Sequence, residues 1–132
     1  MDNTFSTPLL VQPLKLGADV VVHGAAKYLN GHGDVVAGFS AARKEIMDQI
    51  RMVRLKDITG AMVGPQEAFL ILRGLKTLKV RLDAVCANTQ KVVDFLAGSK
   101  YVQKVFYPSL ENHPDHAVAV REMTRFGGVV SF

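Results

Sequence analysis

The stretch between Pro65 and Gly98 constrains the fold more than any other part of this sequence. Its apolar residues recur at intervals of three and four, which is the period of an amphipathic helix. The residues that set the period are Ala68, Ile71, Leu75, Leu78, Leu82, Val85, Val92 and Leu96, with Thr89 filling the one gap. Pro65 fits a first helical turn, and Gly98 is a typical stop. The pattern predicts one long helix, or two helices in line with a bend at Gly74.

The remaining segments alternate between strand-like and helix-like patterns. The β-branched run at 19–23 predicts a buried strand, followed by a glycine-rich loop at 24–33. Further predictions are strands at 35–41 and 102–107, and helices at 43–55 and 114–123. This alternation is typical of an α/β fold.

Composition and charge exclude several classes of protein. A hydrophobic content of 48% is too high for a disordered chain, and no run of about 18 apolar residues predicts a membrane span. The net charge of +4 does not predict nucleic-acid binding, because the basic residues are scattered and interrupted by acids. The tightest basic cluster is Arg73, Lys76, Lys79 and Arg81, which we interpret as a solvated surface or partner contacts. An anionic cofactor explains the excess charge equally well.

The only cysteine, Cys86, lies within the helical pattern and is predicted to be a buried structural thiol. A single cysteine cannot form an internal disulfide, and this fits a reducing cytoplasm. His23 and His32 lie nine residues apart with no cysteine or paired acid at ligand spacing, so no metal site is predicted.

Lys27 is the first candidate for chemistry, because it lies in the glycine-rich loop directly after a buried strand. Partial desolvation in such a loop leaves a neutral amine available as a nucleophile. From these residues alone, an ordinary surface lysine is the more common interpretation. Asp2, followed by Asn3 and Thr4, has the pattern of a helix or turn cap.

The amino-acid sequence of this loop resembles that of a known family. His23-Gly24-Ala25-Ala26-Lys27-Tyr28-Leu29-Asn30-Gly31-His32-Gly33-Asp34 closely resembles the lysine segment of the pyridoxal 5'-phosphate (PLP) enzymes of Cys/Met metabolism, the trans-sulfuration enzymes. Segments 2–5, 16–19, 56–60, 73–78 and 107–108 match the same family in order, so the resemblance covers essentially all 132 residues. The stretch 56–60 looks most like methionine γ-lyases.

The resemblance implies roles for particular residues. Lys27 would bind PLP covalently and then move protons at the substrate carbons, and Asp2 would face the pyridine nitrogen. Asn3 would help to position the site, Gly24 and Ala26 would lie at the cofactor phosphate, and Lys56 and Asp57 would influence substrate choice. The implied activity is elimination or replacement on sulfur amino acids by a homo-oligomer, a tetramer in the family.

The resemblance also implies the fold, namely part of the aspartate-aminotransferase-like fold type I, with a mostly parallel sheet covered by helices. We expect residues 1–62 to belong to the large PLP domain, 63–98 to form the connecting helix region, and 99–132 to begin the small C-terminal domain.

The sequence departs from the family in two ways. The usual Ser-x-Thr-Lys is replaced by Gly24-Ala25-Ala26-Lys27, which removes two hydroxyl donors to the phosphate. Family members are about three times longer, so we expect a fragment or truncated member that lacks several site groups. The alternative function is therefore a non-catalytic remnant or interaction subunit of such an enzyme.

Overall fold

The computed structural model describes residues 1–132, and short elements precede two longer helices. The helices are α1 (Thr7–Leu10), α2 (Lys44–Gln49), α3 (Pro65–Leu75), α4 (Leu78–Ala97) and α5 (His116–Glu122), with a 3₁₀ turn at Pro13–Leu16 and a π-helix at Ile50–Thr59. The strands are β1 (Val20–Gly24) and β2 (Gly38–Ala42). No helix combines the length and the apolar content that crossing a membrane requires.

The long apolar repeat forms two consecutive helices, α3 and α4, which is one of the two forms that were predicted. Pro65 occupies the first turn of α3, and the chain breaks at Lys76 and Thr77, two residues after Gly74. Gly98 follows the last residue of α4, and its N–H donates to the Asp94 carbonyl. The predicted stop at Gly98 is confirmed, and the helix breaks two residues after the predicted bend at Gly74.

The sheet differs from the mostly parallel one expected. β1 and β2 pair antiparallel, with Val20 opposite Ala42 and Gly24 opposite Gly38. The parallel contact in the chain is an isolated bridge between Asp2 and Val22. An antiparallel pair needs only a direct loop, whereas parallel strands need a crossover. The connection at residues 25–37, which carries Lys27 and is called the lysine loop below, is such a direct loop.

The predicted strand at 102–107 is wrong as an extended element. Within it, Phe106 alone forms a bridge, with Ser131. Val105 and Tyr107 are instead buried in the core, and the Tyr107 hydroxyl donates to the Gly127 carbonyl at 2.8 Å. Side-chain packing, rather than a ladder of backbone hydrogen bonds, therefore fixes this segment.

Helix α4 connects two separate core clusters. The first contains Leu10, Val11, Leu82 and Cys86, and the second contains Val93, Leu96, Val105 and Tyr107. The prediction that Cys86 is a buried thiol is confirmed. The proposed division of the chain at residues 62 and 98 stays a prediction.

Candidate functional site

Lys27 projects from the first turn of the lysine loop. Its backbone N–H donates to the Gly24 carbonyl at 3.2 Å, and its carbonyl accepts from the Gly31 N–H at 2.7 Å. Gly31 has a φ of +75°, a conformation that favours glycine. The Lys27 side chain is exposed and makes no ion pair or hydrogen bond. Its amine is therefore free to react with a ligand.

An open cavity of about 560 Å³ lies beside Lys27. The lining is mainly apolar and consists of Phe5, Ala26, Lys27, Tyr28, Gly31, Arg81, Ala84 and Val85. Asp2, Asn3, Lys56 and Asp57 are not among the lining residues. The structure thus brings Lys27 and Ala26 to one cavity and leaves the other predicted residues outside it.

Asp2 lies on a segment that runs alongside β1. The Thr4 N–H donates to Asp2 Oδ1 at 2.9 Å, which is the turn contact that a cap would make. Hydrogen bonds from the Thr4 hydroxyl and the Thr4 backbone lower the pKa of Asp2. The carboxylate therefore stays charged at neutral pH, and it makes no ion pair. A charged and partly free carboxylate is what a protonated pyridine nitrogen requires.

Asn3 and Thr4 attach this segment to the rest of the fold. Asn3 is only 2% exposed, and its Nδ2 donates to the Val11 carbonyl at 3.1 Å. The Thr4 hydroxyl accepts from the Gly24 N–H at 2.7 Å. Asn3 lines a second cavity, away from Lys27, so its described contacts are those of a scaffold residue. Its role in positioning a cofactor stays a prediction.

The phosphate end of the predicted site has no side-chain donors. Gly24 and Ala26 occupy the two positions where the family usually has hydroxyl residues. The Gly24 N–H already donates to the Thr4 hydroxyl. The Ala26 N–H has no acceptor in the structure and remains available. The chemistry of Lys27, of Asp2 and of the free Ala26 N–H is thus compatible with PLP, with backbone alone at the phosphate, and their meeting around one cofactor stays a prediction.

Lys56 and Asp57 lie on the π-helix, far in sequence from Lys27 and Asp2. Their side chains pair with each other. Lys56 Nζ and Asp57 Oδ1 are 3.8 Å apart, and the side chains are 68% and 59% exposed. This surface pair contributes little to stability. Its influence on substrate choice stays a prediction.

His23 is packed in the protein interior at the end of β1. It is 5% exposed, and its ring stacks on Phe39 with centroids 5.0 Å apart. Burial lowers the pKa of His23 from its ordinary value of 6.5. His32 Nδ1 lies 2.7 Å from the Asn30 carbonyl oxygen, so both histidines have structural contacts.

A pH dependence of stability follows from His23. Because its folded-state pKa lies below its unfolded value, the unfolded chain binds more protons as pH falls through about 6.5. The stability is complete above that pH and is lost as pH falls toward the folded-state pKa. We expect His23→Gln to flatten the loss of unfolding free energy between about pH 7 and about pH 5 in urea titrations. His113→Gln is the control, and an unchanged slope in His23→Gln would contradict the assignment.

Arg81 corrects the interpretation of the basic cluster, whereas Arg73 is exposed as predicted. Both were predicted to lie on a solvated surface or at a partner contact. Arg81 instead donates to carbonyls of the lysine loop, and Arg73 pairs with Asp34 of that loop at 2.6 Å. The available signal for Arg73 was its position in the 73–78 motif next to Gly74, and no local signal marked Arg81.

The comparisons with known proteins identify the class. The model of the Cys/Met metabolism PLP-dependent enzymes matches residues 1–132, and the chain belongs to this family. It is 55% identical over 132 residues to an L-methionine gamma-lyase of Fusobacterium nucleatum subsp. nucleatum, and covers 33% of that protein. It is 50% identical over 133 residues to a cystathionine beta-lyase of Lactococcus lactis subsp. cremoris, and covers 34% of it.

Solved structures agree with this assignment. Cystathionine gamma synthase from Xanthomonas oryzae pv. oryzae superposes with a TM-score of 0.90 at 42% identity, over 98% of this chain and 33% of that one. Cystathionine gamma-lyase from Lactobacillus plantarum gives 0.90 at 36% identity, over 98% and 34%. The fold is therefore part of fold type I, as predicted. The chain spans about a third of its relatives' length, in agreement with the expected partial member.

Proposed function

We propose that this chain contributes the cofactor-binding lysine and the ring-nitrogen acid of a PLP-dependent enzyme that cleaves or replaces carbon–sulfur bonds of amino acids. The observation that carries the proposal is the free, exposed Lys27 side chain at the edge of an open cavity. Family membership over residues 1–132 and the lyase names of the relatives support it.

Each predicted residue has a chemical task. Bound PLP withdraws electrons from the substrate's α-carbon, and the protein supplies orientation and proton transfer. Lys27 Nζ takes the proton from that carbon and returns a proton to the carbon skeleton. The Asp2 carboxylate, whose pKa is lowered, would hold a proton on the pyridine nitrogen of bound PLP. The Ala26 N–H is a remaining donor for the phosphate.

The chain does not contain every group that the reaction needs. It spans about a third of its relatives, so we propose that further segments supply the substrate-carboxylate site and the stacking group. A homo-oligomer, a tetramer in the family, is the proposed assembly. A sulfur amino acid is the proposed substrate, with Lys56 and Asp57 influencing its choice.

The test is a titration of the purified chain with PLP, followed by visible absorption. Borohydride reduction then fixes the lysine link, and peptide mapping locates it. We expect saturation at a single site and label on the peptide that contains Lys27. Label spread evenly over surface lysines, with no saturation, would contradict the proposal.

The alternative function, a non-catalytic remnant or interaction subunit, is favoured by the missing hydroxyls at Gly24 and Ala26. A hydrogen bond to a charged group contributes about 1.5–3 kcal/mol. We therefore expect Ala26→Thr to tighten PLP binding by about tenfold or more, measured in the same titration. Ala26→Val has the same shape without the hydroxyl and serves as the control.

Gly24→Ser would restore the second missing hydroxyl, but the space around its side chain is tighter than at Ala26. A Cβ at Gly24 would lie 3.3 Å from Thr4 Cγ2, so Thr4 must shift by a few tenths of an ångström. We expect a smaller gain there than at Ala26. Equal affinities for wild type, Ala26→Thr and Ala26→Val would show that this loop does not hold the phosphate, and would favour the remnant.

A further inference from the structure

The Arg81 side chain joins the lysine loop to the junction of α3 and α4. Its Nη1 donates to the Tyr28 carbonyl at 2.9 Å, and its Nη2 lies 3.4 Å from the Leu29 carbonyl and 2.9 Å from that of Gly74. Its Nε donates to the Thr77 hydroxyl at 3.0 Å. One guanidinium group therefore links the lysine loop, the end of α3 and the junction between α3 and α4.

The loop carbonyls that Arg81 binds have no backbone donor of their own. The preceding carbonyl, that of Lys27, accepts from the Gly31 N–H at 2.7 Å. The following carbonyl, that of Asn30, lies 2.7 Å from His32 Nδ1. Those of Tyr28 and Leu29 are left for Arg81 alone. Buried carbonyls without donors are costly, so the conformation of this turn depends on the guanidinium.

Two further contacts fix the same side of the loop. Gly74 is buried, and a Cβ there would lie 2.7 Å from the Asn30 Cα, so the helix and the loop are in direct backbone contact. Arg73 pairs with Asp34 at 2.6 Å, and Asp34 also accepts from Asn30 Nδ2. The far side of the lysine loop is thus attached to α3 and α4 at several points.

The near side is attached independently, through the Gly24 N–H and the Thr4 hydroxyl. Lys27 lies three residues after Gly24 and directly before the carbonyls that Arg81 binds. Its Cα is therefore held between two fixed points while its side chain stays free. Arg81 and Lys27 also line the same cavity, and the guanidinium is already occupied by backbone partners.

We propose that Arg81 is a positioning residue for Lys27, which fixes the turn that carries the reactive amine through the carbonyls of Tyr28 and Leu29. The inference rests on the proposed function for the role of Lys27. Arg81 does not touch the reacting atoms, and its effect is transmitted through the backbone of the lysine loop.

The test uses Arg81→Met, Arg81→Lys and the matched control Lys79→Met. Lys79 lies on the same helix and pairs only with Asp83, so its removal deletes a cation without touching the loop. The reporters are the hydrogen-exchange rates of the Asn30 and Gly31 amides, both hydrogen-bonded within the turn, relative to the amides of β1. We expect exchange at both to rise by about tenfold or more in Arg81→Met.

Arg81→Lys keeps the charge without the planar fork, so we expect an intermediate rate, with Lys79→Met unchanged. A matching loss of borohydride-fixed PLP at Lys27, but not of total protein labelling, completes the expected result. Equal Asn30 and Gly31 rates in Arg81→Met and Lys79→Met would overturn the proposal. An equal rise at β1 would also overturn it, because Arg81 would then stabilise the whole fold.

This design can contradict the proposed function and the positioning role of Arg81 independently of each other. If wild type captures no PLP at Lys27, the proposed function fails, while the exchange rates still decide whether Arg81 holds the turn. If Arg81→Met does not fold, Arg81→Lys decides: loop-specific acceleration supports the proposal, and wild-type rates overturn it.

Discussion

Replacing Lys27 by alanine is expected to abolish the saturable visible absorption that develops when PLP is added to the chain. The Lys27 amine is exposed, has no charged or hydrogen-bonding partner, and lies at the edge of the cavity. Without it, no covalent link forms, and only the Ala26 N–H and Asp2 remain to hold the cofactor. We expect the loss of bound PLP to be complete at concentrations that saturate the wild-type chain.

The control for Lys27→Ala is Lys91→Ala. Lys91 is exposed on α4, has no described partner, and is absent from the cavity lining. PLP also reacts with surface amines, so Lys91→Ala shows how much the loss of one such lysine changes the titration. If both variants keep the wild-type titration curve, Lys27 does not bind the cofactor in this chain.

Gly74→Ala is expected to destabilise the fold, although Gly to Ala within a helix usually stabilises it. The helix propensity of alanine favours the change by about 1 kcal/mol. The new Cβ, however, would overlap the backbone of Asn30, with 2.7 Å to its Cα. Such overpacking costs about 1–3 kcal/mol, and more when backbone must move. We expect a net loss of about 2 kcal/mol, or a Tm lower by roughly 8 °C.

The matched variant is Gly98→Ala. A Cβ at Gly98 would meet the Asp94 carbonyl oxygen at 3.6 Å, which is ordinary van der Waals contact, and the φ of Gly98 is −85°. We expect its unfolding free energy to stay within about 0.5 kcal/mol of wild type in thermal or urea unfolding. A stabilised Gly74→Ala would mean that the helix and the lysine loop are not in contact in solution.

Local patterns predicted the helices better than the pairing of the strands. The apolar period and the residues Pro65, Gly74 and Gly98 determine where α3 and α4 begin, break and end, and each acts within a few residues. The antiparallel pairing of β1 with β2 joins residues from Val20 with Ala42 to Gly24 with Gly38, which lie beyond the reach of patterns that act within a few residues. The segment at 102–107 has a strand's composition but packs through Val105 and Tyr107.

The site shows the same limit. Lys27 and Asp2 could be proposed because a family motif carries them, and their roles at the cofactor stay predictions. Arg81 could not, because its partners in the lysine loop lie more than fifty residues away along the chain, and a basic residue on a helix usually faces solvent. Gly74 was assigned a bend, whereas its main importance is the contact with Asn30.

The two core clusters joined by α4 have a consequence for how the chain unfolds. Leu82 and Val93, one in each cluster, lie eleven residues apart on one helix, or about 16 Å. Neither cluster can lose its packing without fraying the helix that the other needs. We therefore expect the segments around Leu10 and Tyr107 to be coupled through α4, and the chain to unfold in one cooperative transition.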